Sequence, residues 1–365
     1  MKKIFIAATR QNEGKTTVSL GLIFNLQQRF KKVAFIKPIG QRYLQEEGFK
    51  IDEDSVLIEK VLGSCRPKAG IKDMSPVAME KGFTEKYIDS PDKKSITKQI
   101  TDSFRRISKG QDLVIIEGTG HAGVGSVFDH SNAQVAKLLG SKVIIISSGG
   151  IGRPIDEIAL DKALFEREGV HILGVIINKV LPEKLDKVSR LVKKGLKRKG
   201  IDVLGVIPYE PKLSRPSIEQ ILEETRFELL CGRGFLENYV SRFIVGAMKA
   251  EDAIKYIVDD SLLITPGDRE DVIAAFLECY RDTDKKRLKI SGIVLTGGIA
   301  PDKTLMVSLQ NAGIPVLLAK SDTYNVASCL HDLTVKIRPQ DTDKINTVVK
   351  LIQDNVDLNT VMKGL

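Results

Sequence analysis

The 365-residue chain is long enough for two or three packed domains, and 42% of it is hydrophobic. Trp is absent and aromatic residues are only 5%, so Val, Ile and Leu must carry the cores. The net charge of +9 and the lack of any apolar run near the ~20 residues that cross a bilayer exclude a membrane-spanning reading; the four scattered cysteines, Cys65, Cys231, Cys279 and Cys329, exclude a disulfide framework or a paired zinc site and fit a reducing, cytoplasmic setting.

The chain opens on MKKIFIAAT, whose apolar stretch stops at once in Arg10, Gln11, Asn12 and Glu13. A secretory leader needs a longer apolar region, so a buried first strand is expected instead. The next residues, AATRQNEGKTTVSLGL (7–22), place Gly14-Lys15-Thr16 between that strand and a helix expected over 15–29. Strand, Gly-Lys-Thr, helix is the context of a phosphate-binding loop: backbone amides and the helix N-terminus face an anion, a lysine adds a point charge, and a hydroxyl serves magnesium. The glycine usual four residues before this core is missing. A position needing positive φ would then cost about 1 kcal/mol. The competing reading is a tight turn with an incidental lysine.

Further Val/Ile-rich runs follow at 32–38, 112–118, 142–148, 172–179 and 203–208, with helical stretches between them, including 155–168. Continuous apolar runs suit strands covered on both faces, so the first 210 residues predict a doubly wound, mostly parallel α/β sheet. Residues 66–100 are polar, Lys-rich and irregular, and are expected to form an excursion or lid-like insertion. Asp54 precedes an apolar run and is either a metal ligand or a helix N-cap. Glu117 closes a buried strand where such sheets place their ligands, and can hold magnesium, cap a helix or form a surface ion pair. Lys37 and Asn178 also stand at strand ends, where a surface charge and a turn cap are the plainer alternatives. Residues 183–199 hold eight basic and two acidic residues around Leu185, Val188, Leu191, Val192 and Leu196 at helical spacing. That is an amphipathic helix with a solvated basic face; without interleaved aromatics, nucleic acid is not an expected partner.

The three prolines of PYEPKLSRPS (208–217) mark the expected boundary between domains 1–212 and 213–365. Behind it come strands at 261–269, 291–298 and 314–322, helices at 270–280 and 303–312, and a final helix at 341–356.

Together these motifs resemble the dethiobiotin synthetase-like P-loop proteins over residues 1–212. On that family's register Ala8 takes the place of the leading glycine. The resemblance implies that Asn12, Glu13, Gly14, Lys15, Thr16 and Thr17 cradle the phosphates of ATP. It implies that Thr16, Asp54 and Glu117 hold Mg2+, that Lys37 of Lys37-Pro38 faces a carboxylate or carbamate, and that Asn178 and Pro208 border the adenine. Lys15, Lys37 and Glu117 would be the catalytic set. The segments KPIGQ and SNAQVAKLL depart from the ligase at its substrate positions. With GDR (267–269), LTGG (295–298), VGAM (245–248) and SDTYNVAS (321–328), they resemble the DRTGG domain and the N-terminal half of long phosphotransacetylases. No room remains for an acetyl-transfer domain, so acetyl phosphate synthesis is not expected of these residues alone. The resemblance implies a Mg-ATP-binding regulatory protein, or alternatively an ATP-dependent ligase of the dethiobiotin or amidating type acting on a small carboxylate or amine. A homo-oligomer is implied by family likeness only. Asp268-Arg269 and Gly297-Gly298 would meet at one sheet edge, either as an anion site or, as favoured, as tight strand exits.

Overall fold

The computed structural model describes residues 1–63, 70–281 and 289–365. Cys65 and residues 66–69 at the start of the expected excursion lie outside these. The chain divides into two compact units, Met1–Glu210 with Ile337–Leu365, and Pro211–Lys336.

The first unit is built on six parallel strands: Lys2–Ala8, Val33–Ile36, Leu113–Glu117, Lys142–Ser148, Ile172–Val180 and Val203–Pro208. The first strand lies centrally, between Leu113–Glu117 on one side and Lys142–Ser148 on the other. Val33–Ile36 forms one edge and Val203–Pro208 the other. Helices cover both faces, so interior strands such as Leu113–Glu117 are buried at every residue, as their unbroken apolar runs require. The order of connection reverses beside the first strand, which puts the ligand-accepting crevice above its carboxyl end.

Residues 70–108 are more regular than their composition suggests. They form helices Ile71–Met74, Phe83–Asp89 and Lys93–Ser108. The last buries Ile96, Ile100, Phe104 and Ile107, whose spacing of three and four is helical, while its lysines and arginines face outward. The basic helix spans Leu185–Lys197 and buries Val188, Val192 and Leu196.

The chain returns to this unit at its end. The helix Thr342–Asn355 packs on the helix Lys15–Leu26 that follows the Gly-Lys-Thr core. Asn25 Nδ2 donates to the Val349 carbonyl at 2.9 Å, and the Asp357 amide to that of Leu204 at 2.7 Å. A Cβ on Gly21 would stand 2.2 Å from Ile352 Cγ1, so glycine lets the two helices approach. Assignment of residues 337–365 to the second domain is therefore corrected. An amphipathic helix can settle on any matching apolar surface, and sequence order does not choose which.

The second unit has a five-stranded sheet in the order Glu228–Cys231, Val316–Leu318, Ile290–Thr296, Ser261–Pro266, Arg242–Val245. All neighbours are parallel except the Glu228–Cys231 edge, which is antiparallel. Leu263, Ile293 and Leu295 face one buried cluster with Val272, Ile273 and Phe276; Leu262, Ile264 and Val294 face another with Ile218, Val326 and Leu330. The alternation is that of strands covered on both faces. The two edge strands were not expected, being four residues each and only partly buried.

Candidate functional site

The absent glycine leaves no strain at Ala8. Ala8 ends the first strand in ordinary extended geometry, its amide donating to Gly120 O at 3.3 Å and that of Thr9 to Ile146 O at 2.8 Å. Positive φ falls instead on Asn12 (61°) and Gly14 (94°). Asn is among the few side-chain-bearing residues that tolerate this region. Gly14 also has no room for a side chain, since a Cβ would meet Asn178 Nδ2 at 2.4 Å.

Asn178 and Lys179 clamp the loop from the end of the Ile172–Val180 strand. Asn178 Nδ2 donates to the Glu13 carbonyl at 2.9 Å, Asn178 Oδ1 accepts from the Lys179 amide at 2.9 Å, and Lys179 Nζ donates to the Asn12 carbonyl at 2.6 Å. Two loop carbonyls are thereby held back from the crevice. Among the described residues, no hydrogen bond within the chain takes the amide protons of residues 12–17. Those of residues 14–17 are the amides that the N-cap and first turn of the helix leave without carbonyl partners.

Beside the loop lies a buried charge cluster. Glu117 is fully buried at its strand end; Thr16 Oγ1 donates to its Oε1 at 3.0 Å and Ser19 Oγ to its Oε2 at 2.8 Å. Lys37 Nζ pairs with Asp54, with Asp52 Oδ1 at 3.0 Å and with Glu117 Oε1 at 3.6 Å. Burial works against the Lys37 ammonium, but Asp54, Asp52 and Glu117 outweigh it and hold the group charged. Burial pushes the Glu117 carboxyl up to about 7, against the pull of Lys37 and with the repulsion of Asp54. Asp52 is likewise raised by burial. Lys15, 9% exposed, is shifted the other way: burial and the nearby Lys37 lower it, while Glu117, Asp54 and Glu13 oppose.

The structure brings Asn12, Glu13, Gly14, Lys15, Thr16 and Thr17 into one loop and first turn, with Glu117, Lys37 and Asp54 gathered at the same end of the sheet. Asn178 joins them through its bond to Glu13. Pro208 ends the outer strand in register with Val180, two residues beyond Asn178. The N-cap of the helix Glu53–Leu62 is Asp52, whose Oδ1 accepts from the Asp54 amide at 3.0 Å; Asp54 therefore sits in the first turn and is not the cap. Asp52, Ser19 and Lys179 were not anticipated as site residues. Only Asp52 left a signal, in the Asp52-Glu53-Asp54 run. Asn132 is a further one: its side chain donates to the carbonyls of Thr119 and His121 at 2.7 and 2.6 Å and accepts from the Thr119 amide at 3.1 Å, pinning the segment after Glu117.

At the second unit's sheet edge the amides of Gly267, Gly297 and Gly298 donate to carbonyls of Thr296, Ser321 and Ala319. Arg269 donates to Asp271 and to the Met248 carbonyl. These donors are spent inside the chain, which agrees with strand exits rather than an anion site.

A parallel sheet whose first strand runs through a Gly-Lys-Thr turn into a helix, with a carboxylate closing the neighbouring strand, defines a P-loop domain. A family model described as an AAA domain matches residues 2–217 and one described as a DRTGG domain matches residues 220–333. The chain belongs to that AAA-domain family of P-loop proteins, with a DRTGG domain following, the arrangement of the N-terminal region of long phosphate acetyltransferases. It is 27% identical over 363 residues to a phosphate acetyltransferase of Nitratidesulfovibrio vulgaris, covering 97% of this chain and 50% of the relative. It is 26% identical over 368 residues to one of Pseudomonas putida, covering 98% and 51%. The chain thus spans about half the length of these relatives. The MinC:MinD cell division protein complex of Aquifex aeolicus is 20% identical, with a TM-score of 0.39 over 58% of this chain and 84% of that one.

Among the described residues, no helix is long and apolar enough to cross a membrane, and no group of His, Cys, Asp or Glu side chains is arranged on its own to hold a metal ion. Cys231 and Cys329 carry free thiols.

Proposed function

We propose that the first unit binds Mg-ATP and that the chain is a nucleotide-responsive regulatory module, not a self-contained ligase. The observation that supports this most is the loop itself. Its amides at 12–17 are uncommitted within the described chain, two of its carbonyls are tied back by Asn178 and Lys179, and the buried Lys15 ammonium stands beside them. An anion is what such a surface lacks. Asn12 to Thr17 and Lys15 would hold the phosphates. Asn178 and Pro208, at the neighbouring strand ends, would border the base. The donor set also suits a divalent cation: the Thr16 hydroxyl touches Glu117, and Asp54 reaches the same point through Lys37. A bound magnesium ion would neutralise phosphate charge there, with Thr16, Glu117 and Asp54 as the residues to hold it.

The ligase alternative needs Lys37 to present its charge to a carboxylate or carbamate. Here three carboxylates already surround that ammonium, which favours a positioning role instead. A homo-oligomer and a small-metabolite partner remain part of the proposal through family likeness. Calorimetric titration with Mg-ATP tests it: the wild-type chain is expected to bind, and Lys15→Ala to lose binding with an unchanged circular dichroism spectrum. Equal affinity in the variant would remove the cradle, and carbon dioxide-dependent phosphate release with a diamine would restore the ligase.

A further inference from the structure

The excursion after the second strand carries a second, open pocket that no residue of the phosphate loop lines. It measures about 600 Å³ and lies between the hairpin Tyr43–Glu46/Phe49–Asp52 and the segments that carry Ser75–Phe83, Lys86, Ile96 and Gln99. That volume is typical of a small-molecule site. Its floor is apolar and mostly buried, from Ile51, Val77 and Ile96. Phe49 and Phe83 form walls. Four lysines, Lys50, Lys72, Lys81 and Lys86, line it against one glutamate, Glu80.

The charges are unequally matched. Lys50 pairs with Glu80 at 2.6 Å, which consumes the one acid among the described lining residues. Among the described residues, Lys72, Lys81 and Lys86 have no carboxylate partner. Lys72 instead lies over the Phe49 ring, 4.5 Å from its centroid, a contact that fixes its ammonium at the cavity without neutralising it. Gln45 and Gln99 add neutral hydrogen-bonding groups. An apolar floor under three unmatched ammonium groups is complementary to a body of one kind and a head of another.

We propose that this cavity binds a small organic anion, its charged head among Lys72, Lys81 and Lys86 and its apolar body against Phe49, Val77 and Phe83. The site does not use the phosphate loop and stands or falls independently of nucleotide binding. It does adjoin the Lys37 cluster: Ser75 Oγ in its lining accepts the Asp52 amide at 3.0 Å, and Asp52 pairs with Lys37.

Phenyl phosphate, titrated calorimetrically into the full chain at low ionic strength, tests the assignment. Saturable binding is expected, tighter than for inorganic phosphate, and unchanged in Lys15→Ala. Lys72→Ala/Lys86→Ala should weaken it about tenfold or more, as expected for removing two charges from the head site, while Lys72→Arg/Lys86→Arg should retain it. These lysines are exposed and make no ion pairs among the described residues, so the variants should fold. The absence of saturable binding would overturn the proposal. So would binding that survives in the double alanine variant but disappears in Lys15→Ala, because the anion would then sit in the phosphate loop. Equal affinity for inorganic phosphate would overturn the apolar half of the site.

Discussion

Lys37→Met isolates the physics of the charge cluster. Methionine keeps an unbranched stem of similar length and removes only the ammonium. Asp52, Asp54 and Glu117 are each no more than 7% exposed, and all three lie within ion-pair distance of that one nitrogen. Deleting one member of a buried charge set leaves the others without compensation, at about 3–5 kcal/mol. Total stability of such a domain is only about 5–15 kcal/mol, so the variant should be visibly crippled at pH 8. The sign of its pH dependence follows from the carboxyl groups. Burial already raises Asp52 and Glu117, the latter to about 7. Without the ammonium both rise further, and a carboxylate whose folded value is raised loses stability as pH climbs. In the wild type Lys37 remains charged across this window and offsets that loss. The deficit of the variant should therefore be largest at pH 8 and shrink toward pH 5.5, where the carboxyls protonate. Urea denaturation at both pH values, followed by hydrogen exchange in peptides of residues 1–63, measures it. A deficit under 1 kcal/mol at pH 8, or one identical at the two pH values, would refute the account of the cluster.

Glu117→Gln keeps an acceptor for Thr16 or Ser19 but removes the charge; it should weaken the magnesium dependence of ATP binding by about tenfold, and an unaltered magnesium titration would take Glu117 out of the metal site. Asp161→Asn should stabilise the chain by about 1–3 kcal/mol at pH 8 and not at pH 4. Its carboxyl is pushed up to about 7 by burial, its Oδ2 has no hydrogen-bond partner, and an amide oxygen can still accept from Ala122. Thermal melts at the two pH values decide, and a gain at pH 4 would point to some cause other than the charge. Gly21→Ala should cost about 1–3 kcal/mol by overpacking against Ile352, despite alanine's better helix propensity. Adding Ile352→Ala should remove that Gly21-specific cost in a double-mutant cycle, and strict additivity would mean that the helices do not meet there.

Much of this protein could be read from local chemistry. Unbroken Val/Ile runs suit strands covered on both faces, and all six strands of the first sheet fall where those runs stand. The loop was legible because strand, Gly-Lys-Thr and helix are contiguous. Its missing glycine looked like a cost only because sequence cannot say which position carries positive φ; folding moved that demand to Asn12 and Gly14. Asp54 was ambiguous between ligand and cap until the backbone assigned the cap to Asp52.

What local sequence determined was therefore each element and the residues at its ends. Only the tertiary structure decided which ends meet: Lys37 with three carboxylates from two separate segments, Asn178 with a loop 165 residues away, and the helix Thr342–Asn355 with the first. The reason is physical. Periodicity and capping act within a few residues of chain, whereas a buried charge pair or a glycine-mediated helix contact gains its energy only when strand order has brought distant segments to the same place.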